Sequence, residues 1–173
     1  EEIATIGVDV DTRRASVRAM ETNFGNAATD AMMTVTGADI GMTNGGGIRG
    51  NKVYPAGSVM TARDVFAELP FGNKTVVLAM SGEDVMAALE NAVSKIEDTS
   101  GRFMQVSGNV AVVYDRDAAV GSRVVSAMID GSAIDAGATY TVATNDFVAR
   151  GGDGYTMFAS AEVVLSADAS QLM

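Results

Sequence analysis

Two clusters of glycine, each placed after a short apolar segment, constrain the fold of this chain more than any other feature of its sequence. The first is Asn44–Gly47, which follows the apolar residues 38–42. The second is the Gly-Gly-Asp-Gly segment 151–154, which comes shortly after the apolar residues 140–144. A short apolar segment that ends in glycine is typical of a buried strand that leads into a loop. Because binding residues collect in such loops, the two clusters are candidate binding segments.

Helical and strand-like patterns alternate along the rest of the chain. We predict helices from residue 17 onward, from an N-cap at Thr61 until Pro70, and after Ser81, where apolar residues recur at helical spacing. Asp130-Gly131 indicates a tight turn. The predicted strands are residues 3–10, 38–42, 74–80, 110–115, 123–129, 140–144 and 163–165. At 173 residues we expect a single α/β domain of the α+β type, with a mixed β-sheet flanked by helices.

The first predicted helix depends on a stripe of apolar residues and contains one glycine. Its stripe consists of Met20, Phe24, Ala28, Ala31 and Met32. Gly25 weakens the prediction because glycine costs about 1 kcal/mol inside a helix, and we expect it to mark close packing against a neighbour.

The composition excludes several classes of function. The chain has no histidine and no cysteine, so it cannot form disulfides, a Ser-His-Asp triad or a metal site with histidine or thiolate ligands. Twelve basic and 22 acidic residues give a net charge of −10, which argues against nucleic-acid binding through a basic face. No run of 18 apolar residues is present, so we expect no membrane span. Neither nucleic acid nor a membrane is therefore an expected partner.

The loop after the first glycine cluster combines features suited to an anion. Successive glycines let the backbone approach a ligand and direct N–H groups at it, and Arg49 offers a planar fork of donors. The segment Asn44–Arg49 is neither a Walker A loop nor the spaced dinucleotide fingerprint. A flexible surface turn with a solvated arginine remains the alternative.

Two phenylalanines and one aspartate stand at the rims of predicted elements. Phe71 lies between Pro70 and Gly72, and Phe147 comes just past a strand end. Either ring is suited to stacking on a ligand or to filling the core. Asp153 lies between glycines, where it either accepts hydrogen bonds from ligand hydroxyls or stabilises its own turn.

Arginine outnumbers lysine in this acidic chain. Arg14 and Arg18 are four residues apart and would share one face of a helix. Bidentate recognition of phosphate is one explanation, because the guanidinium presents a planar fork of donors. Ion pairs with the many carboxylates are the other.

Taken in order, these segments resemble the C-terminal, substrate-binding domain of the 5′-nucleotidase and UDP-sugar hydrolase family. The similarity extends from about residue 12 to the end of the chain. It is carried by five segments in the right order and spacing, namely residues 18–26, 44–49, 69–73, 103–108 and 145–155.

The resemblance implies a parent phosphohydrolase with two domains. An N-terminal metallophosphoesterase domain would hold two divalent metal ions and the catalytic His-Asp pair, and the C-terminal domain would bind the nucleoside and rotate to deliver the phosphate. We expect that N-terminal domain to be absent from residues 1–173. Accordingly, we expect no cofactor, metal ligand or catalytic residue in this chain, and no activity of this part alone. Animal members of the family have cysteines around the first helix, whereas this chain has none and is in this respect similar to bacterial members. The similarity implies a periplasmic or extracellular parent.

The resemblance also assigns roles at the base of the nucleotide. Phe71 and Phe147 match the two rings that sandwich the base, and Asn73 matches a residue near the base edge. Stacking is worth about 1–3 kcal/mol per base and tolerates any base, because every base has a π-face. Gly46 and Gly47 match positions where the backbone approaches the ligand.

Polar residues match the ribose and phosphate positions of the family. Asp153 matches the carboxylate that binds ribose hydroxyls. Asn44, Arg49 and Arg18 match groups that bind ribose and phosphate, and Arg14 matches a further arginine on the phosphate side of bacterial members.

One position departs from the family pattern, and several parents remain open. Arg150 stands where a small or amide residue is expected, so it either adds a cation near the ligand or faces solvent. The same domain accompanies cyclic-nucleotide phosphodiesterases, nucleotide-sugar hydrolases and a sulfur-oxidising thiosulfohydrolase, of which the aromatic pair with Asp153 disfavours the last. A stand-alone nucleotide-binding module without catalysis is a further alternative.

Overall fold

A computed structural model describes residues 1–167 of the chain. The helices are α1 (Arg14–Val17), α2 (Asn23–Thr36), α3 (Ala62–Glu68), α4 (Gly82–Val93), α5 (Asp146–Ala149) and α6 (Thr156–Ala159). The strands are β1 (Glu2–Thr5), β2 (Val10–Asp11), β3 (Ile40–Asn44), β4 (Val53–Tyr54), β5 (Val59–Thr61), β6 (Thr75–Ser81), β7 (Met104–Val106), β8 (Val110–Tyr114), β9 (Val124–Ile129), β10 (Ser132–Ala133), β11 (Thr139–Asn145) and β12 (Glu162–Leu165). Short 3-10 turns span Gly45–Gly47, Ile96–Asp98 and Gly152–Gly154.

The centre of the fold is a five-stranded mixed sheet in the order β12-β6-β11-β3-β7. Only the pair β3 and β11 is parallel, and every other neighbouring pair is antiparallel. Pairs β1 with β5 and β2 with β4 form two small separate sheets, and β8, β9 and β10 form a third. The expected mixed sheet is therefore confirmed.

Helices cover both faces of the central sheet because its inner strands are apolar on both sides. Val142 and Leu78 belong to the main core with α4, whereas their neighbours Ala143 and Val77 pack with Met32 of α2. Adjacent residues of a strand point to opposite faces, so α2 and α4 lie on opposite sides of the sheet. The expected arrangement of a sheet flanked by helices is confirmed.

The residues that the sequence marks as helix caps and as a tight turn have these roles in the structure. Thr61 caps α3 in a reciprocal capping box with Asp64, and the Ser81 side chain accepts a hydrogen bond from the Asp84 N–H at the start of α4. Asp130 and Gly131 both have positive φ, at 49° and 76°, and connect β9 to β10 by a two-residue turn.

The helix predicted from residue 17 is interrupted. Helix α1 ends at Val17 and α2 begins only after Thr22, whose side chain caps it. The buried side chain of Gln105 accounts for the break, since it donates to the carbonyls of Val17 and Met20 and accepts from the Thr22 N–H. Met20 is consequently exposed instead of lying on the buried stripe.

The strand predicted over residues 3–10 is also divided. Strand β1 pairs with β5, β2 pairs with β4, and residues 6–9 connect them. Although this segment is apolar, Ile3 and Val8 are exposed and only Ile6 is buried. The period-two pattern of a half-buried strand is missing here, and the pairing partners lie about 50 residues away, where sequence patterns do not reveal them.

Close packing between α2 and the sheet requires glycine at position 41. A Cβ at this position would lie 2.2 Å from the carbonyl oxygen of Thr29, which is backbone and cannot move aside cheaply. We expect Gly41→Ala to lower the free energy of unfolding by about 1–3 kcal/mol through overpacking. Chemical denaturation measures this effect. Gly7→Ala is the matched control, because nothing lies within 4 Å of its Cβ position, and an equal loss in both variants would contradict the account.

Candidate functional site

Four loops meet at one edge of the central sheet. Because β3 and β11 are parallel, their last residues Asn44 and Asn145 lie at the same edge, and the two glycine clusters follow there. The antiparallel neighbours enter at that edge, since Thr75 at the start of β6 pairs with Asn145 and Met104 at the start of β7 pairs with Asn44. The edge outside the carboxyl ends of parallel strands is where ligands bind in open α/β sheets.

A cavity of about 530 Å³ opens between these loops. This volume lies within the range of ordinary ligand pockets. Nine of the ten predicted site residues line it, and Gly101 completes the lining; the nine are Arg18, Asn44, Gly46, Gly47, Arg49, Phe71, Asn73, Phe147 and Asp153. A smaller cavity of about 210 Å³ shares Gly47, Phe71 and Asn73 with it.

Both phenyl rings at the cavity are exposed and therefore do not fill the core. Phe71 is 57% exposed and Phe147 is 40% exposed. The Phe147 ring lies directly against Gly152, where a Cβ would approach ring atoms to 2.5 Å. The guanidinium carbon of Arg49 lies 5.3 Å from the centroid of the Phe71 ring, a cation–π contact that links the two side chains.

Asp153 is held at the cavity by residues distant in sequence. Its backbone has a positive φ of 55°, and its Oδ2 accepts a hydrogen bond of 2.6 Å from Asn44 Nδ2. Asn44 in turn accepts from Asn145 Nδ2 at 3.1 Å, while Asn91 Nδ2 donates to the Asp153 carbonyl at 3.3 Å. The Asp153 side chain therefore bonds to a residue of another loop and does not stabilise its own turn. Asn44 is buried between these two partners and orients the carboxylate towards the cavity.

Arg18 is a buried cation without a neutralising partner. It is 8% exposed, and its Nε has no hydrogen-bond partner among the residues that the structure describes. Within residues 1–167, no carboxylate lies within ion-pair distance of Arg18. Burial lowers the pKa of Arg18, the positive charges of Arg14 and Arg49 lower it further, and Asp153 partly offsets them. An anion bound in the cavity would supply the missing negative charge.

Two arginines from the sequence lie outside the cavity. Arg14 has an exposed side chain and does not line it, although it is near enough to influence Arg18. Arg150 forms an exposed ion pair of 2.8 Å with Asp146 and does not line the cavity either. Of the two alternatives for Arg150, the structure favours the one in which it faces solvent.

The backbone of the first glycine cluster is used differently from the expectation. The N–H groups of Gly45 and Gly46 donate to the carbonyls of Phe103 and Gly101, at 2.7 Å and 2.8 Å. These two groups are therefore not available to an anion, and this part of the expectation is wrong. A Cβ on Gly46 would lie 3.0 Å from the Cα of Gly101, so glycine here permits two loops to approach each other.

Sequence analysis missed several residues that build the site. Gly101 lines the cavity and Asn145 fixes Asn44, but nothing in a single sequence indicates that these loops meet. Glu68 is fully buried beneath the loop that carries Phe71, and its position just before Leu69 gave no signal of burial. Buried polar residues of this kind are found only when their distant partners are known.

The described residues were also searched for a metal-binding cluster and for a membrane-spanning helix. Among residues 1–167, no three or more acidic residues cluster so as to hold a metal ion. No helix in the same range has the length and apolar character needed to cross a bilayer.

Comparison with known proteins gives consistent matches. A family model described as 5′-nucleotidase, C-terminal domain, matches residues 2–160. The chain is 38% identical over 170 residues to the trifunctional nucleotide phosphoesterase protein YfkN of Bacillus subtilis, a match that covers 93% of this chain and 11% of that protein. It is 37% identical over 142 residues to protein UshA of Escherichia coli, covering 82% of this chain and 24% of that protein.

A solved structure shows the same fold. The crystal structure of a 5′-nucleotidase precursor from Thermus thermophilus matches with a TM-score of 0.89 and 40% identity, over 98% of this chain and 34% of that chain. The present chain therefore spans only part of the length of each of these proteins.

The unneutralised charge of Arg18 predicts an unusual effect on stability. We expect Arg18→Met to raise the free energy of unfolding, by about 1 kcal/mol or more, because it removes a buried cation that pairs with no carboxylate in residues 1–167 and is repelled by Arg14 and Arg49. Denaturant titration in low-phosphate buffer measures the change. Arg14→Met, at an exposed position, should change stability by less than about 0.5 kcal/mol. A loss of stability in Arg18→Met would show that the charge is compensated within the protein.

Proposed function

Since the chain belongs to the 5′-nucleotidase C-terminal domain family, we propose that it is the nucleotide-recognition domain of a 5′-nucleotidase-type phosphohydrolase. One observation carries the proposal: a single cavity combines two exposed phenyl rings, an oriented carboxylate and a buried cation that forms no ion pair within residues 1–167. These groups correspond to the base, the sugar and the phosphate of a nucleotide.

The base is proposed to stack between Phe71 and Phe147. Both rings border the same cavity, and both expose a large part of their surface there. Stacking on each ring would contribute about 1–3 kcal/mol and would accept any base, because it depends on the shape of the π-face. Asn73 lines the same cavity and would contact the base edge.

The sugar and phosphate are proposed to bind to the polar residues of the same cavity. Asp153 would accept hydrogen bonds from the ribose hydroxyls, and Arg18 and Arg49 would bind the phosphate. The net charge of −10 repels an anion at long range, but salt screens that repulsion within about 8 Å at physiological ionic strength. The two local guanidinium groups therefore dominate inside the cavity. Arg14 would act only at longer range, since it lies outside the lining.

Hydrolysis is proposed to occur outside this chain. An N-terminal metallophosphoesterase domain of the parent would supply two divalent metal ions and the hydrolytic chemistry. This chain would hold the nucleotide and present its phosphate to that domain. The parent is proposed to be periplasmic or extracellular.

The name of one relative favours a broader substrate range for the parent. The Bacillus subtilis protein is described as a trifunctional nucleotide phosphoesterase, and it is 38% identical to this chain. Stacking that tolerates any base agrees with such breadth. A cyclic-nucleotide phosphodiesterase or nucleotide-sugar hydrolase parent is therefore the second candidate.

Ring substitutions test the proposed base site. We expect Phe71→Ala and Phe147→Ala each to weaken adenosine binding by about 5- to 150-fold, which corresponds to the loss of one stacking contact. Isothermal titration calorimetry measures both affinities. Phe66→Ala is the matched control, because Phe66 is 62% exposed and lines only the smaller cavity. If Phe66→Ala weakened adenosine binding as much as Phe71→Ala, the base would belong in the smaller cavity.

Turnover tests the proposed division of labour. We expect the purified chain to bind adenosine 5′-monophosphate without added metal and to release no inorganic phosphate from it, with or without Mg²⁺ or Mn²⁺. A colorimetric phosphate assay beside the binding titration gives both results. Phosphate release that persists through purification and is lost in Phe71→Ala would contradict the proposal.

A further inference from the structure

Glu68 is a fully buried carboxylate beside the backbone of Arg49 and Gly50. It is the last residue of α3, is 0% exposed and, within residues 1–167, has no lysine or arginine at ion-pair distance. Burial of a charged group costs free energy unless hydrogen bonds satisfy it. Tyr54 Oη at 2.8 Å from Oε1 and the Gly50 N–H at 2.9 Å from Oε2 donate to it. Thr12 Oγ1 lies 3.0 Å from Oε1, but its single proton is shared with the Lys52 carbonyl at 2.9 Å.

The same residue holds the backbone around Arg49 from two directions. The main-chain carbonyl of Glu68 accepts the Arg49 N–H at 2.8 Å, and its side chain accepts the N–H of Gly50, the next residue. Two successive peptide groups are thus fixed to one residue. Position 50 has to be glycine for this, because a Cβ there would lie 1.9 Å from Glu68 Oε1.

Glu68 also leads directly into the loop that carries Phe71. Only Leu69 and Pro70 separate the two residues, and the guanidinium of Arg49 contacts the Phe71 ring. The backbone that carries the cationic side chain and the loop that carries the ring are therefore both connected to one buried residue, Glu68.

We propose that Glu68, together with Gly50, is a positioning pair that fixes Arg49 relative to Phe71. The pair would set the separation between the phosphate-binding guanidinium and the stacking ring, and thereby the preference of the site for a nucleoside monophosphate over the nucleoside. This inference rests on the proposed nucleotide-binding function. Glu68 itself does not line the cavity, so it acts through Arg49.

Two substitutions of Glu68 separate positioning from charge. Glu68→Asp keeps the charge but is one methylene shorter, so it cannot reach the Gly50 N–H. Glu68→Gln loses the charge but keeps an acceptor at full length, because the hydroxyls of Thr12 and Tyr54 can rotate to accept from its amide. Tyr54→Phe is the control, since it removes one donor from the carboxylate and leaves Gly50 untouched.

Calorimetric titration of the 173-residue chain with adenosine 5′-monophosphate and with adenosine gives the ratio of the two affinities. We expect Glu68→Asp to reduce this ratio about tenfold, the scale of a charge-assisted hydrogen bond, with Glu68→Gln and Tyr54→Phe close to the wild-type ratio. A purely structural role would lower stability in all three without changing the ratio. An unchanged ratio in folded Glu68→Asp would overturn the inference. If that variant does not fold, Gly50→Ala, which displaces the carboxylate, should show the same loss and decides the question.

Amide hydrogen exchange separates failure of this inference from failure of the proposed function. In Glu68→Asp, exchange at Arg49 and Gly50 should accelerate relative to amides of β11, whether or not any ligand binds. If the wild-type chain binds neither ligand, the proposed function is contradicted, and so is the proposed effect of Glu68 on the preference for the monophosphate. If it binds both ligands but exchange at Gly50 is unchanged in Glu68→Asp, only the positioning inference falls.

Discussion

The parallel pairing of β3 with β11 is the constraint on which the rest of the structure depends. It is the only parallel pair in the central sheet, and it brings the ends of two strands about 100 residues apart to one edge. The hydrogen bonds from Asn145 to Asn44 and from Asn44 to Asp153 extend this pairing into the loops. The position of the carboxylate thus follows from the sheet register, because a slip of either strand by one residue would turn its asparagine to the opposite face and separate the two side chains.

Arg18 has no ion-pair partner among residues 1–167, and Asp153, the carboxylate that lines the same cavity, offsets its unfavourable surroundings only in part. The chain as a whole carries a net charge of −10, yet no carboxylate in the described range pairs with buried Arg18. Glu68 is a buried negative charge that also forms no ion pair within the described range, and hydrogen bonds alone stabilise it. Both arrangements cost folding free energy, and such costs concentrate where a protein is built for binding instead of stability. Arg18 is therefore proposed to bind the anionic ligand, and Glu68 is proposed to fix the backbone beside the cavity.

Sequence patterns were sufficient for helix caps and tight turns, and the family resemblance named nine of the ten residues that line the cavity. Capping at Thr61 and the turn at Asp130-Gly131 depend on neighbouring residues, so a single sequence reveals them. The break before Thr22 depends on Gln105, more than 80 residues away, and was not predictable in that way. Site residues were found through ordered motifs, whereas the partners that hold them were missed because their role exists only after folding.

A crystal structure of this chain with adenosine 5′-monophosphate tests the central claim most directly. The account predicts the adenine ring between the phenyl groups of Phe71 and Phe147, with the phosphate in contact with the guanidinium groups of Arg18 and Arg49. Adenine in the smaller cavity beside Phe66, or a phosphate that leaves Arg18 without an anionic partner, would contradict it.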